Sequence, residues 1–308
     1  MIEVAAGVLS AAHRQVLLVR RLPGTHLAGL WEFPGGKLEP GEDAAGALAR
    51  ELREELGIEA RGFEPLISLP WSYPEKTIRL HALRVTEWRG EPRAREGHPL
   101  RWVPIGEMDP AEMPAADRPI GAALRLPAFH VITSGLPNLG MAGACLQATG
   151  TSSLLQLRFP RSGRADVRIC ASDLLTRLPA LKTRLLINAD IELARELGIG
   201  VHLRAAQSGG LEQRPLPDSQ WVGVSCHDAD ELERAARIGA DFATLSPVRT
   251  TSSHPGALPL GWGRFGQLVR DARLPVYALG GVGPADLGRA RAAGAQGVAG
   301  IRAFASPL

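Results

Sequence analysis

Beyond residue 129 the chain carries eight short apolar runs, at His130-Thr133, Leu154-Leu157, Leu185-Ile187, Val201-Leu203, Trp221-Val224, Phe242-Leu245, Val276-Leu279 and Gly297-Ala299. Amphipathic stretches such as Asp228 to Ile238 and Pro284 to Ala293 separate most of them. Strands buried on both faces and joined by crossover helices produce this alternation, and eight such units close on themselves. The spacing therefore predicts an α/β (β/α)8 barrel over residues 130–308. The last run ends nine residues before Leu308, so the closing helix is short or missing.

Residues 1–127 follow a different pattern. Ile2 to Val19 alternates apolar stretches around the polar turn His13-Arg14-Gln15, which predicts a hairpin. Asp43 to Leu56 places Ala44, Leu48, Leu52 and Leu56 at helical spacing, and Gly57 supplies a stop. Pro65 to Leu69, Thr77 to Val85 and Trp102-Val103 read as strands. Strands flanking helices in mixed order predict an α+β sandwich. Prolines at 104, 110, 114, 119 and 127 then bracket a short helical stretch, Ile120 to Leu126, and the boundary between the two domains is expected near Leu126 to Phe129.

Composition narrows the function classes. A length of 308 residues is about twice the ~150 expected of one domain. With 45% hydrophobic and 22% charged residues the chain can bury real cores, which excludes a disordered or disulfide-held scaffold. Thirty-five Lys+Arg against 32 Asp+Glu leave +3, too little for a duplex-binding face, and no basic run concentrates it. Cys145, Cys170 and Cys226 are odd in number and lack metal-ligand spacing. With no signal-type start and no long apolar span, the expectation is a cytoplasmic protein with neither membrane nor duplex nucleic acid as partner.

Chemistry is concentrated in residues 36 to 58, GKLEPGEDAAGALARELREELGI. Glu51, Glu54 and Glu55 stand at i, i+3 and i+4, hence on one face of a helix. Three neighbouring carboxylates repel unless a hard cation neutralises them, and oxygen ligation suits Mg²⁺ or Mn²⁺, which leave positions for phosphate oxygens and water. Arg50 can pair with Glu42 or with one of the three glutamates. The plain alternative is an exposed helix face laced with ion pairs. Gly35 and Gly36 admit backbone conformations that turn a carbonyl inward as a further ligand.

This segment resembles the Nudix box. The resemblance to the MutT-like branch, the 8-oxo-dGTP diphosphatases, extends over roughly residues 1 to 127, through Leu30-Trp31-Glu32-Phe33-Pro34-Gly35-Gly36-Lys37 and the basic pair Arg20-Arg21. It implies a metal held by Gly35, Glu51, Glu54, Glu55 and Glu96, with Arg50 in a catalytic role and Glu54 or Glu96 as the base. Substrate is then contacted by Arg21, Phe33, Lys37, Lys76 and Asp117. Glu96 has a surface-loop alternative. Asp117 stands where that branch usually reads the purine with Asn, and it has the alternative role of capping the helix that follows. A carboxylate there accepts the N7–H that an 8-oxopurine has and guanine lacks. The implied reaction is metal-assisted attack of water on a nucleoside triphosphate, preferentially 8-oxo-dGTP, giving 8-oxo-dGMP and pyrophosphate.

Residues 130 to 308 resemble the thiamine phosphate synthase and TenI family, through Val131-Ile132-Thr133, Leu155-Gln156-Leu157-Arg158, Val201-His202-Leu203, Gly223-Val224-Ser225-Cys226-His227 and Leu279-Gly280-Gly281-Val282. The whole is thus expected to be an α+β Nudix sandwich followed by a TIM-type barrel. The resemblance implies phosphate binding by Thr251, Ser253, Gly281, Gly300 and Ile301, with Gln156, Arg158 and His227 as further contacts. The synthase's carboxylates are missing. Asn188-Ala189 and Arg204-Ala205-Ala206-Gln207 stand at their positions, Pro160 and His254 replace lysines, and Pro247 replaces the tautomerase histidine. The expectation is a barrel that binds a thiamine-type phosphate without joining pyrimidine to thiazole. The alternatives are hydrolysis of a thiamine-pathway or other diphosphate by the first domain, or a barrel that senses ligand and regulates its partner.

Overall fold

Strand β1 (Ile2–Ala11) organises the first unit because its residues alternate between two cores. Ala6 and Val8 pack on one side with Ile120 and Leu124, while Ala5 and Leu9 pack on the other with Ala47, Leu48, Leu52 and Leu56. A strand covered on both faces divides its side chains in this way. The computed structural model describes residues 1–134, 153–251, 256 and 258–304. Its chain clusters into two compact units, Met1–Arg125 and Leu126–Leu308.

After the turn Ala12–Arg14, β2 (Gln15–Arg20) returns antiparallel to β1. Then follow β3 (Trp31–Glu32), β4 (Gly35–Lys37), helix α1 (Ala44–Leu56), β5 (Glu59–Tyr73), β6 (Lys76–Arg89), β7 (Leu100–Pro104) and α2 (Arg118–Arg125). The sheet runs β3-β2-β1-β6-β5, with β4 added on β1 and β7 on β2. Only the β1–β6 pairing is parallel. β5 and β6 run well beyond the alternating stretches that mark them in sequence. β5 passes through Pro65 and Pro70 because it is the edge strand, where a missing N–H costs no ladder bond, and register shifts at Ala60/Gly62, Gly62/Phe63 and Pro65/Ile67 absorb the irregularity. α2 begins two residues earlier than its apolar spacing suggests, since Pro119 is tolerated in a first turn.

In the second unit, among the described residues, eight parallel strands close into a barrel. They are β8 (Phe129–Ile132), β9 (Leu154–Leu157), β10 (Leu185–Asn188), β11 (Gly200–Leu203), β12 (Val222–Cys226), β13 (Phe242–Leu245), β14 (Val276–Ala278) and β15 (Gly297–Gly300). β15 closes on β8 with Val298 opposite Phe129. Outside, residues such as Leu155, Ile187, Val201 and Val224 pack in one continuous core with Leu174, Leu193, Leu232 and Phe265 of the surrounding helices. Inside, the rings of His130, His202, Phe242 and Tyr277 contact one another at 5.2 to 5.8 Å between centroids. After β15 the described residues hold only the 3-10 turn Arg302–Phe304. Cys170 and Cys226 are buried free thiols, and Cys145 lies outside the described residues. Among the described residues no helix is long and apolar enough to cross a membrane.

Candidate active site

Helix α1 is delimited by its own chemistry. The Asp43 side chain accepts the Gly46 N–H at 2.7 Å, and Gly57, at φ 69, closes the last turn in a left-handed conformation that glycine adopts without strain. Between these ends the apolar face is fixed in the core, so Arg50, Glu51, Glu54 and Glu55 are carried on the remaining faces.

Arg50 is the hub of the acidic cluster. Its Nε and Nη2 donate to the two oxygens of Glu42 at 2.9 and 3.0 Å, and Nη1 donates to Glu51 at 2.9 Å and Glu54 at 3.3 Å. Nη2 also reaches the Lys37 carbonyl at 3.0 Å, which ties the helix to the end of β4. Sequence spacing allows either Glu42 or a helix glutamate as partner, and the structure gives Arg50 both. The hydrogen bond from Arg50 is the chief cause that holds Glu42 down to about 2, and the same bond raises Arg50.

The three helix carboxylates are all carried off the buried face of α1 and find different partners. Among the described residues no three His, Cys, Asp or Glu side chains form a ready-made metal-ligand group. Glu51 and Glu54 turn to Arg50, whose guanidinium relieves their repulsion, whereas Glu55 turns inward. Burial first, then the charges of Glu51, Glu32 and Glu96, push Glu55 up to about 8, against a lowering hydrogen bond from the Gly35 N–H. Its Oε2 is buried and has no hydrogen-bond partner. A buried, unpartnered carboxylate oxygen among other carboxylates is costly by itself and is satisfied by a hard divalent cation, so the donor set fits one. Gly36 is required by close approach: a Cβ there would stand 2.2 Å from Glu51 Oε1.

Gly35, Gly36 and Lys37 also line a cavity of about 250 Å³ that reaches Arg21, Phe33, Lys76 and Asp117. Asp117 is only 7% exposed, and its Oδ2 accepts the Phe33 N–H at 3.2 Å. Burial, with a smaller contribution from Glu32, pushes it up to about 8. The carboxyl is thus committed to the cavity wall. The first α2 bond uses its backbone carbonyl, which accepts from Gly121 at 3.1 Å. Arg21 pairs with Glu32, while Arg20 is outside the cavity, stacked over Trp31 at 5.8 Å and bonded to the Gly29 carbonyl.

Glu96 sits in an exposed loop that is held to the end of α1 by Arg95 N–H on Glu55 O at 2.9 Å and Arg93 N–H on Leu56 O at 3.0 Å. Its charge still reaches Glu55. Three further residues, Glu32, Tyr73 and His26, line the cavity without a motif to mark them. Glu32 is raised by burial despite Arg21, and Tyr73 is raised by burial and Asp117 and receives the Ala116 N–H. His26 meets the Tyr73 ring edge-on at 5.1 Å. The one local signal was an acid inside the apolar run Leu30 to Phe33.

In the barrel two cavities open where strands end, the side on which such barrels place their sites. The larger, about 570 Å³, is lined by Gln156, Arg158, Asn188, His202, Arg204 and His227 among others. The second, about 450 Å³, is lined by Thr251, Gly281, Gly300 and Ile301, while Ser253 and His254 lie outside the described residues.

Comparisons with known proteins divide along the chain. The NUDIX domain profile matches residues 5–123, and the thiamine monophosphate synthase profile matches residues 137–304. The 8-oxo-dGTP diphosphatase of Escherichia coli (strain K12) is 34% identical over 124 residues, 40% of this chain and 96% of that protein. The CTP pyrophosphohydrolase of the same organism is 39% identical over 137 residues, 44% of this chain and 97% of that protein. The putative thiamine-phosphate synthase 2 of Aquifex aeolicus (strain VF5) is 39% identical over 153 residues, 49% of this chain and 82% of that protein.

Proposed function

This chain belongs to the NUDIX family through residues 5–123 and to the thiamine monophosphate synthase family through residues 137–304, and from that premise we propose a sanitising enzyme of defined specificity. The chain is a Nudix hydrolase with pyrophosphohydrolase chemistry. Its preferred substrate, on our reading, is 8-oxo-dGTP, its active domain is residues 1–127, and residues 130–308 form a ligand-binding domain.

The observation that carries this is the cavity joining the Gly35-Gly36 loop to the buried Asp117. With its pKa raised to about 8, Asp117 is largely protonated near neutrality and presents both a donor and an acceptor. The acceptor takes the N7–H of an 8-oxopurine, which guanine lacks, and the donor faces O6. Phe33 fixes the carboxyl through its N–H, and Lys37, Lys76 and Arg21 line the same wall.

Glu51, Glu54, Glu55 and Glu96, with the Gly35 backbone, are the residues to hold Mg²⁺ or Mn²⁺. A cation held there withdraws charge from the phosphate oxygens and lowers the pKa of water. Arg50 keeps Glu51 and Glu54 in register. Glu54 or Glu96, both exposed, takes the proton as water adds to phosphorus and pyrophosphate leaves. Comparing kcat in Glu54→Gln and Glu96→Gln identifies the base. The specificity is tested by kcat/KM with Mg²⁺ for 8-oxo-dGTP, dGTP, CTP and the thiamine pyrimidine diphosphate, and a preference for any of the other three overturns it.

The barrel binds a phosphorylated ligand through Thr251, Ser253, Gly281, Gly300 and Ile301 and does not join pyrimidine to thiazole. Support comes from Ala189 and Arg204, which stand where the synthase pattern has acid-bearing motifs. Thiamine phosphate formed by the purified chain would overturn this.

A further inference from the structure

The larger barrel cavity is about 570 Å³, a size suited to a small organic ligand. Its wall contains two polar side chains that are each only 2% exposed, Gln156 and His202. Gln156 donates its Nε2 to Asn188 Oδ1 at 2.8 Å, which leaves its buried Oε1 without a partner, and His202 Nε2 has none either. Buried polar atoms are costly unless satisfied, so these two mark a built binding site.

The charges around that site are one-sided. Asp190 is the one carboxylate among the described lining residues, and both its oxygens are taken. Oδ1 accepts the Leu193 N–H at 2.9 Å as a helix cap, and Oδ2 pairs with Arg164 Nε at 3.1 Å. Arg158 and Arg204 line the same cavity, and among the described residues neither guanidinium has a hydrogen-bond or ion-pair partner. A hard divalent cation needs anionic oxygen ligands, and among the described lining residues no carboxylate is left over for one. Guanidinium groups stay protonated and bind phosphate oxygens in pairs.

We propose that this cavity is a second anion subsite, adjoining the one at Thr251, Gly281 and Gly300 through the shared Ile301, and that it receives a phosphorylated group as the bare anion, with Arg158 and Arg204 supplying the positive charge that a bridging divalent cation would otherwise bring. The inference rests on the barrel being a phosphate-ligand binder and adds how the charge is met. Gln156 and His202 then engage the uncharged part of the ligand at the cavity floor.

Equilibrium dialysis of the full chain with radiolabelled inorganic pyrophosphate, in EDTA and in Mg²⁺, tests it. The bound fraction that disappears in an Arg158→Ala, Arg204→Ala double variant reports the barrel. The expected result is saturable binding in EDTA, with a Kd within about twofold of that in Mg²⁺. The double variant weakens it by about tenfold or more, as loss of hydrogen bonds to a charged group requires, while hydrogen exchange in the barrel strands β8 to β15 stays as in the wild type and shows that unit folded. Arginine-dependent binding only in Mg²⁺ overturns cation-free recognition and leaves the phosphate reading standing. Arginine-dependent binding in neither buffer overturns the anion subsite of this cavity. Full binding by the double variant removes the arginines from the site.

Discussion

The two units bury titratable groups of opposite kind. The first holds carboxyls, with Asp117 and Glu55 both pushed up to about 8 by burial. The barrel holds imidazoles, with burial driving His202 down to about 3 and His130 down as well, helped by His202. In each case the neutral form is the one that fits the fold. The difference teaches where each unit's polarity is placed. The carboxyls border a cavity and an acidic cluster. His130 is packed among rings inside the barrel, and only His202 reaches the cavity.

The sharpest way to break that comparison is to remove charge from one unit and read both. Glu51→Gln takes away the carboxylate that Gly36 makes room for and Arg50 holds. Its kcat is expected to fall by at least the roughly 10–100-fold that even outer-shell partners of a metal site carry, with pyrophosphate binding by the barrel unchanged. Hydrolysis at the wild-type rate would separate α1 from the chemistry.

Acid titration attacks the other unit. The His202 pKa lies below its unfolded value of 6.5, so the unfolded barrel takes up a proton that the folded barrel refuses. This contribution is complete above pH 6.5 and drains away as pH falls toward about 3, by roughly 5 kcal/mol at most. Hydrogen exchange in β11 at pH 7, 5 and 4 measures it. Protection that stays constant over that range would show a protonated imidazole inside the barrel.

A smaller effect separates position from charge within the acidic cluster. Arg50→Lys keeps one positive charge but cannot hold both Glu42 oxygens while reaching Glu51 and Glu54. Its kcat is expected to drop about tenfold, close to one charge-assisted hydrogen bond, with KM little changed. A rise in KM at constant kcat would assign Arg50 to substrate binding.

How far the two units were legible follows from the same contrast. The barrel strands are apolar on successive residues because both faces are covered, so Leu154 to Leu157 or Phe242 to Leu245 announce themselves. β3 and β4 are two and three residues long and carry no periodicity, although Gly35 and Gly36 of β4 form the floor of the site. On α1, spacing places Glu51, Glu54 and Glu55 together but cannot say which turns inward. That choice is made by tertiary neighbours, with Arg50 drawing Glu51 and Glu54 and the Gly35 N–H meeting Glu55. The Phe33–Asp117 contact joins residues 84 apart, and no local pattern encodes it.

Asp117→Asn probes the first unit where stability and specificity share one side chain. The Asp117 pKa is raised from 3.8 to about 8, so the folded unit keeps a proton that the unfolded chain releases. Its stabilising contribution is therefore complete below pH 3.8 and is lost as pH climbs toward 8. Asparagine keeps the shape and an acceptor for the Phe33 N–H, and it has no proton to lose. The variant's melting temperature should decline less between pH 6 and 9 than that of the wild type, the remaining decline coming from Glu55. Selectivity shifts less, because the amide still offers a donor and an acceptor. The 8-oxo-dGTP to dGTP ratio of kcat/KM is expected to change by under about tenfold at pH 7, one hydrogen bond's worth. Above pH 8 the wild type loses its carboxyl donor and the variant does not, so the two selectivity profiles should part there. Parallel profiles through pH 9 would mean that the Asp117 proton takes no part in reading the base.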